Sequence, residues 1–153
     1  MQNLETFLIK AKKQTYANAN IKKALSTRNQ SKDYEYQDGN YLYHDTYFGT
    51  TNFIGEEVVY LDNQIYWAMN YYGKTLDDDY SEEAMDKALR PALMHVGESK
   101  NVLPVRGPKE YLNGEYKYTF QTKGDITNFE GTETIYKNNK KIYELKCHGG
   151  LIK

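Results

Sequence analysis

The chain has 153 residues, of which 39% are hydrophobic and 27% are charged, and its formal net charge is −1. This composition fits one folded domain and excludes a disordered chain, and its balanced charge offers no general attraction for nucleic-acid phosphates. No apolar stretch approaches the ~18 residues that span a bilayer, and the N-terminus lacks a secretory signal pattern. We therefore expect a cytoplasmic protein without a membrane or nucleic-acid partner, and the single cysteine, Cys147, excludes an internal disulfide.

The first predicted element is a helix over about residues 3–14. Leu4, Phe7, Leu8 and Ala11 recur at helical spacing, while the neighbouring lysines fall outside that stripe. We expect the apolar stripe to lie on a sheet. Residues 17–32 are rich in polar side chains with little periodicity, which predicts an irregular connection.

Alternating and aromatic residues then predict the strands of the first half. The candidates lie between Asp33 and Gly73 and comprise residues 34–36, 41–43, 53–61 and 65–72. Asp38-Gly39 and Asp62-Asn63 have the residue types of tight hairpin turns. The pattern predicts an antiparallel meander.

A second helix and three more strands are predicted in the second half. The helix should begin at a capping box over residues 79–82, carry an apolar stripe up to Val96 and end at Gly97. Pro91 should kink or restart it, because proline lacks the N–H that the turn requires. The strand candidates are residues 115–122, 127–136 and 141–147.

An internal repeat relates the two halves. Residues 51–63 (TNFIGEEVVYLDN) and 127–139 (TNFEGTETIYKNN) are identical at seven of thirteen positions, which indicates duplication. We therefore predict a single α+β domain over residues 1–153, built from two helix-plus-three-strand (αβββ) units over about 1–75 and 76–153. The units should form one antiparallel sheet with both helices on one face.

The repeat also places two acids at equivalent positions. Alternation puts Glu57 beside Val59, and Glu133 beside Ile135, on the more aliphatic row of the repeated strand. Carboxylates on a buried row need partners. The two could meet across the pseudo-twofold axis and serve as an acid–base pair, or each could accept hydrogen bonds from its own turn and hold the fold.

Tyrosine is unusually frequent, with 16 in the chain and nine of them between Tyr34 and Tyr72. Aromatic rings at alternate strand positions are typical of a concave site for a planar or cationic organic molecule, although tyrosine also favours half-buried strands. The predicted walls of such a site are Tyr43, Tyr47, Trp67 and Tyr71. Its predicted polar anchors are Glu57, Glu133 and Arg106.

The remaining polar residues form no specific motif. His44, His95 and His148 lack the spacing of metal ligands, so we predict no metal site. Glycine-rich phosphate loops are absent as well, so we predict no cofactor. Asp45 and His148 are further candidates for an acid and a base.

Five segments, in order along the chain, carry a resemblance to a known family. They are residues 43–49 (YHDTYFG), 53–59 (FIGEEVV), 67–73 (WAMNYYG), 106–108 (RGP) and 148–152 (HGGLI). They resemble a bacterial domain family of unknown function, found free-standing or fused behind an XRE (Cro/C1-type) helix-turn-helix domain.

The resemblance covers nearly the whole chain from Glu5 onward. Asp45, Glu57, Arg106 and His148 are the polar members of its segments. The fusion implies a domain that senses an effector, although no such DNA-binding domain stands in this sequence.

Three functions follow from these patterns. The leading hypothesis is a small-molecule-binding module with a tyrosine-rich pocket. The first alternative is an enzyme that uses Glu57 with Glu133, or Asp45 with His148, as acid and base. The second is a protein-interaction module whose exposed aromatic face binds a partner or forms a homodimer.

Overall fold

Helix α1 forms where the sequence predicts it. In the computed structural model, which describes residues 3–76 and 80–153, α1 spans Leu4–Lys13. The side-chain oxygen of Asn3 accepts a hydrogen bond of 2.8 Å from the N–H of Thr6 and so caps the helix. Its predicted apolar stripe is buried, together with Lys12.

Eight strands form one antiparallel sheet in the order β1-β2-β3-β4-β8-β7-β6-β5. Their bounds are β1 (Lys32–Asp38), β2 (Tyr41–Gly49), β3 (Phe53–Leu61), β4 (Gln64–Thr75), β5 (Glu110–Asn113), β6 (Tyr116–Asp125), β7 (Asn128–Lys137) and β8 (Lys140–Leu151). The α+β class, the single antiparallel sheet and the duplicated helix-plus-strand unit are confirmed. Each unit has four strands rather than three. All four strand candidates of the first half form, and the second half gains β5, whose four residues are too few to show alternation in the sequence.

Tight turns join the strands where the sequence predicts them. Gly39 has a φ of +59° between β1 and β2, while Asp62 and Asn63 have φ values of +51° and +62° between β3 and β4. Asn138 and Asn139 repeat that conformation in the second half. Two adjacent residues with this left-handed backbone conformation match the twist of strands joined by a two-residue hairpin turn.

Helix α2 is irregular in its middle. It runs through Glu82–Ala84, a wider π-helical turn over Met85–Leu89, and Arg90–Leu93. Pro91 is the second residue of the last stretch and donates no hydrogen bond to the preceding turn, which agrees with the predicted disturbance. The predicted capping residue Asp79 lies outside the described residues.

Both helices cover the same face of the sheet, the inner face. The ring of Phe7 on α1 stacks on Tyr41 of β2 at 4.8 Å, and Tyr80, just before α2, stacks on Tyr143 of β8 at 5.0 Å. The turn after α2 also approaches α1, because a Cβ on Gly97 would lie only 2.4 Å from the side chain of Ile9. The core therefore lies between one sheet and two helices.

The two halves join at β4 and β8 with approximate twofold symmetry. Trp67 of β4 stacks on Phe129 at 5.9 Å, and its counterpart Tyr143 of β8 stacks on Phe53 at 6.2 Å. Main-chain bonds repeat the symmetry, from Leu76 N to Ile142 O and from Ile152 N to Tyr66 O. Thus neither half completes its core without the other.

The outer face of the sheet is mostly polar and carries one buried acid. Asp33 accepts hydrogen bonds from Ser31, Thr27 and His44, with its Oδ2 2.7 Å from the His44 Nε2. These contacts hold the connection before β1 against the sheet edge. Within the described ranges, no helix has the length and apolar character needed to cross a membrane.

Candidate functional site

A cavity of about 460 Å³ lies on the inner face, between β2–β4 and α2. Four aromatic rings line it. Tyr47 contacts Tyr16 and Phe53 edge-to-face at 5.8 and 6.4 Å, and Phe53 contacts Tyr71 at 6.0 Å. The rings therefore form a continuous aromatic wall. We call the space that this wall encloses, together with the wall itself, the aromatic cavity.

Charged side chains of both signs also line the aromatic cavity. The bases are Lys23, Lys32, Arg90 and Arg106, and the acids are Asp45, Glu82 and Asp86. The cavity thus combines an aromatic wall with several charged groups of both signs.

Cations lie over the faces of the cavity's tyrosines. The guanidinium of Arg106 is 5.7 Å from the ring centre of Tyr71, and that of Arg90 is 5.3 Å from the ring centre of Tyr16. Burial raises the pKa of Tyr16 to about 12. Burial likewise raises the pKa of Tyr71, so both hydroxyls keep their protons at neutral pH.

Asp45 is the most unusual group at this site, because its carboxyl is only 3% exposed. The hydroxyl of Tyr71 donates a hydrogen bond of 2.7 Å to its Oδ1. Burial and the adjacent charge of Glu57 raise the pKa of Asp45, while the Tyr71 hydrogen bond and the charges of Lys12 and Arg106 oppose them, and the result is about 7. The carboxyl therefore changes charge near neutral pH.

Gly55 makes this arrangement sterically feasible. It lies on β3 between Tyr47 of β2 and Tyr71 of β4. A Cβ at this position would come within 2.4 Å of the Tyr71 hydroxyl oxygen and 2.6 Å of the Tyr47 Cβ. The missing side chain lets Tyr71 pass across β3 and reach Asp45.

Glu57 and Glu133 are each neutralised by a different cation. The Lys12 Nζ on α1 lies 2.5 Å from Glu57, whereas Arg106 binds both carboxylate oxygens of Glu133 at 2.9 Å. Tyr118 adds a hydrogen bond of 2.7 Å to Glu133. Among the described residues, the two glutamates thus bond neither to each other nor to their own turns, so neither of the two predicted alternatives is observed, and neither glutamate lines the aromatic cavity.

The structure separates the four predicted walls and the predicted anchor Arg106 into two groups. Tyr47, Tyr71 and Arg106 line the aromatic cavity. Tyr43 and Trp67 do not line it, because they lie in the core with at most 1% of their surface exposed. The Trp67 indole N–H donates to the Ile126 carbonyl at 3.0 Å, so this ring belongs to the junction between the halves.

The predicted pairing of Asp45 with His148 is not observed. Asp45 points to the inner face, as do its β3 neighbour Glu57 and the aromatic wall. His148 is exposed on the outer face of β8, between Asn70 and Glu130. The sheet therefore separates these two groups, and Asp45 is the one candidate acid that reaches the aromatic cavity.

Several cavity residues were not predicted from the sequence. Tyr16 and Lys23 belong to or adjoin the connection between α1 and β1, and Arg90 lies on α2. Their positions depend on how these segments cross the sheet. No local pattern in the sequence carries that information.

The comparisons give a family but no characterised relative. A family model described as a domain of unknown function (DUF5680) matches residues 45–152, which is more than two thirds of the chain. The match begins at Asp45 and includes α2 and Arg106, whereas α1 and β1 lie outside it. No curated protein and no solved structure matches the chain.

Proposed function

We propose a ligand-binding function for this chain, which belongs to the DUF5680 family. The aromatic cavity binds a small planar organic molecule between its tyrosine and phenylalanine rings, and Asp45 accepts a hydrogen bond from it. One observation carries the proposal: a buried carboxyl, without a directly paired cation in the described residues, lies at the wall of an aromatic cavity.

The internal duplication supports this role for Asp45, because the equivalent position of the second half holds no carboxyl. Asp45 on β2 is paired in register with Glu57, and Phe120 on β6 is paired in the same way with Glu133. Phe120 is completely buried, so the second half fills the equivalent place with an apolar ring. Since burying a carboxyl disfavours folding, its presence in the first half supports a functional role.

The chemistry of the cavity defines what it can hold. Its aromatic rings favour a flat ligand, and an ionised Asp45 can accept an N–H or O–H from that ligand with its second oxygen. Fusion of such domains behind a helix-turn-helix, which the sequence resemblance implies, would make the ligand an effector. In that setting the domain acts as a sensor.

Acid–base catalysis in the same cavity is a second candidate, and one observation favours it. A carboxyl with a pKa of about 7 can both give and take a proton near neutral pH. The acid in that case is Asp45 rather than Glu57 or Glu133, both of which are held by cations. Turnover of a bound ligand that is lost in Asp45→Asn, with binding retained, would identify this activity.

Partner binding through an exposed aromatic face has less support. The inner-face tyrosines lie beneath the helices and within the core, and Tyr43, Tyr71 and Tyr118 are at most 5% exposed. A binding surface for a partner would have to use other side chains.

The test is a ligand screen by thermal shift, followed by titration against matched variants. Tyr71→Phe removes the hydroxyl that contacts Asp45, and Tyr72→Phe removes one from the adjacent residue on the outer face. Ligands should raise Tm in the wild type, bind at least tenfold more weakly to Asp45→Ala and retain their affinity for Tyr72→Phe. Binding that is insensitive to Asp45 and Tyr71 would overturn the proposal.

A further inference from the structure

We infer that the ligand of the aromatic cavity is a planar acid, whose carboxylate or phosphate is bound by Lys23, Lys32 and Arg90. This inference rests on the proposed binding function and adds the charge of the ligand to it. Its basis is that three cationic groups face the cavity with hydrogen-bonding capacity unused by the described residues.

Lys32 and Lys23 form an uncompensated pair. The Lys32 ammonium donates a hydrogen bond of 2.6 Å to the Gly49 carbonyl and lies 5.4 Å from the ring centre of Tyr47. Burial and the charge of Lys23 both lower the pKa of Lys32. Neither ammonium has a carboxylate within 4 Å among residues 3–76 and 80–153, so a bound anion would relieve their repulsion.

Arg90 provides a further donor beside the aromatic wall. Its Nη1 binds Asp86 at 3.2 Å, and its guanidinium lies over Tyr16. Its Nε is buried and has no hydrogen-bond partner in the part of the chain described by the structure. A buried donor without an acceptor is costly, and an oxyanion in the cavity would satisfy it.

The acids of the cavity do not cancel this positive charge. Asp86 already pairs with Arg90, and the raised pKa of Asp45 leaves it partly protonated at neutral pH. Among the lining acids of residues 3–76 and 80–153, Glu82, on the first turn of α2, is then the one set against the two lysines. A ligand whose aromatic ring lies between the tyrosines can therefore place an anionic group close to the lysines.

The experiment compares acids with neutral molecules of the same shape. The probes are 2-aminobenzoate against 2-aminobenzamide for a carboxylate, and nucleoside 5′-monophosphates against their nucleosides for a phosphate. Dissociation constants are measured by calorimetry for the full chain, for Lys23→Gln, Lys32→Gln and Asp45→Ala, and for the control Lys22→Gln. Lys22 is exposed and adjoins Lys23 in sequence but does not line the cavity.

We expect one acid series to bind at least tenfold more tightly than its neutral counterpart. Each of Lys23→Gln and Lys32→Gln should weaken the acid about five- to twentyfold without affecting the neutral probe, and Lys22→Gln should have no effect. The series that binds distinguishes a carboxylate from a phosphate. Raising the salt concentration should weaken the acid selectively.

Three outcomes would overturn the inference, and they distinguish it from the proposed binding function. Equal binding of acid and neutral probes, with both lost in Asp45→Ala, would overturn the anionic ligand but leave the binding function in place. No binding of any probe, charged or neutral, at millimolar concentration would count against both. Tight binding of the acids that is unchanged in both lysine variants would assign the anion to another place on the molecule.

Discussion

The two halves of this molecule share a framework and differ in what lies on it. Phe53 and Phe129, Gly55 and Gly131, and Glu57 and Glu133 occupy equivalent positions and serve packing, close approach and buried ion pairing in both halves. The cavity positions have diverged, because Asp45, Tyr47 and Tyr71 of the first half correspond to Phe120, Thr122 and Cys147 of the second. The residues kept in both copies therefore maintain the fold, although Phe53 also lines the cavity, and the differing residues Asp45, Tyr47 and Tyr71 distinguish the cavity of the first half.

The largest expected effect on stability comes from replacing the buried glutamate of each half, which belongs to the shared framework. Glu133→Leu should destabilise the fold by about 3–5 kcal/mol, because it leaves Arg106 buried without its partner. Glu57→Leu should cost less, about 1–3 kcal/mol, because the flexible stem of Lys12 can carry its ammonium toward water. Urea unfolding measures both, and equal losses would contradict this difference.

The second prediction concerns Asp45, one of the positions at which the halves differ, and the dependence of folding stability on its ionisation. Its folded-state pKa of about 7 lies above the ordinary value near 4, so the folded state binds more protons and loses stability as pH rises from about 4 to 7. Glu57, Tyr71, Lys12 and Arg106 are the groups acting on it. Asp45→Asn should therefore be more stable than the wild type by about 2–4 kcal/mol at pH 8, with the difference vanishing near pH 4.

The control for that measurement is Glu56→Gln, an exchange at a residue on the opposite side of the repeated strand. It should leave the pH dependence between 4 and 7 unchanged. A wild-type stability that is flat across this range would mean that Asp45 titrates normally.

Asp33, at the outer edge of the first half, should have the opposite effect to Asp45 on how stability depends on pH. Burial of Asp33 would raise its pKa, but the hydrogen bonds from Ser31, Thr27 and His44 outweigh burial and lower it. Its stabilisation is therefore fully present above the unfolded-state pKa near 4 and is lost as pH falls below that value. Asp33→Asn should reduce the acid sensitivity measured by circular dichroism, at a cost of about 1–3 kcal/mol at pH 7.

The smallest expected effect concerns adjacent tyrosines on opposite faces of β4. Tyr71→Phe removes a buried hydroxyl bonded to Asp45 and should cost about 1 kcal/mol, whereas Tyr72→Phe, at a residue 47% exposed, should cost almost nothing. Tyr71→Phe should also raise the pKa of Asp45, since it removes a hydrogen bond that favours the charged form. NMR titration of the carboxyl carbon measures that shift, and an unchanged pKa would show that the hydroxyl does not act on it.

The elements could be predicted from the sequence because their signals are local. The spacing of Leu4, Phe7, Leu8 and Ala11 and the Asp62-Asn63 turn depend on neighbouring residues alone, and both predictions are confirmed. The repeat further indicated that both halves share one sheet.

The site could be predicted only in part, because alternation identifies a face but not a position along it. Tyr43, Tyr47, Trp67 and Tyr71 all point to the inner face, yet Tyr47 and Tyr71 line the cavity while Tyr43 and Trp67 lie in the core. The pairing of Arg106 with Glu133 joins residues 27 positions apart, and no local pattern reports it. Both facts depend on how the chain crosses the sheet.

The junction of β4 with β8 has a consequence for synthesis of the chain on the ribosome. Both strands have 12 residues, and β8 is made long after β4 is complete. Until β8 emerges, β4 presents its unpaired backbone groups along one edge, which is the kind of surface that recruits strands from other chains. The nascent protein is therefore most vulnerable to aggregation after its first half is complete, and chaperone contacts should concentrate in that interval.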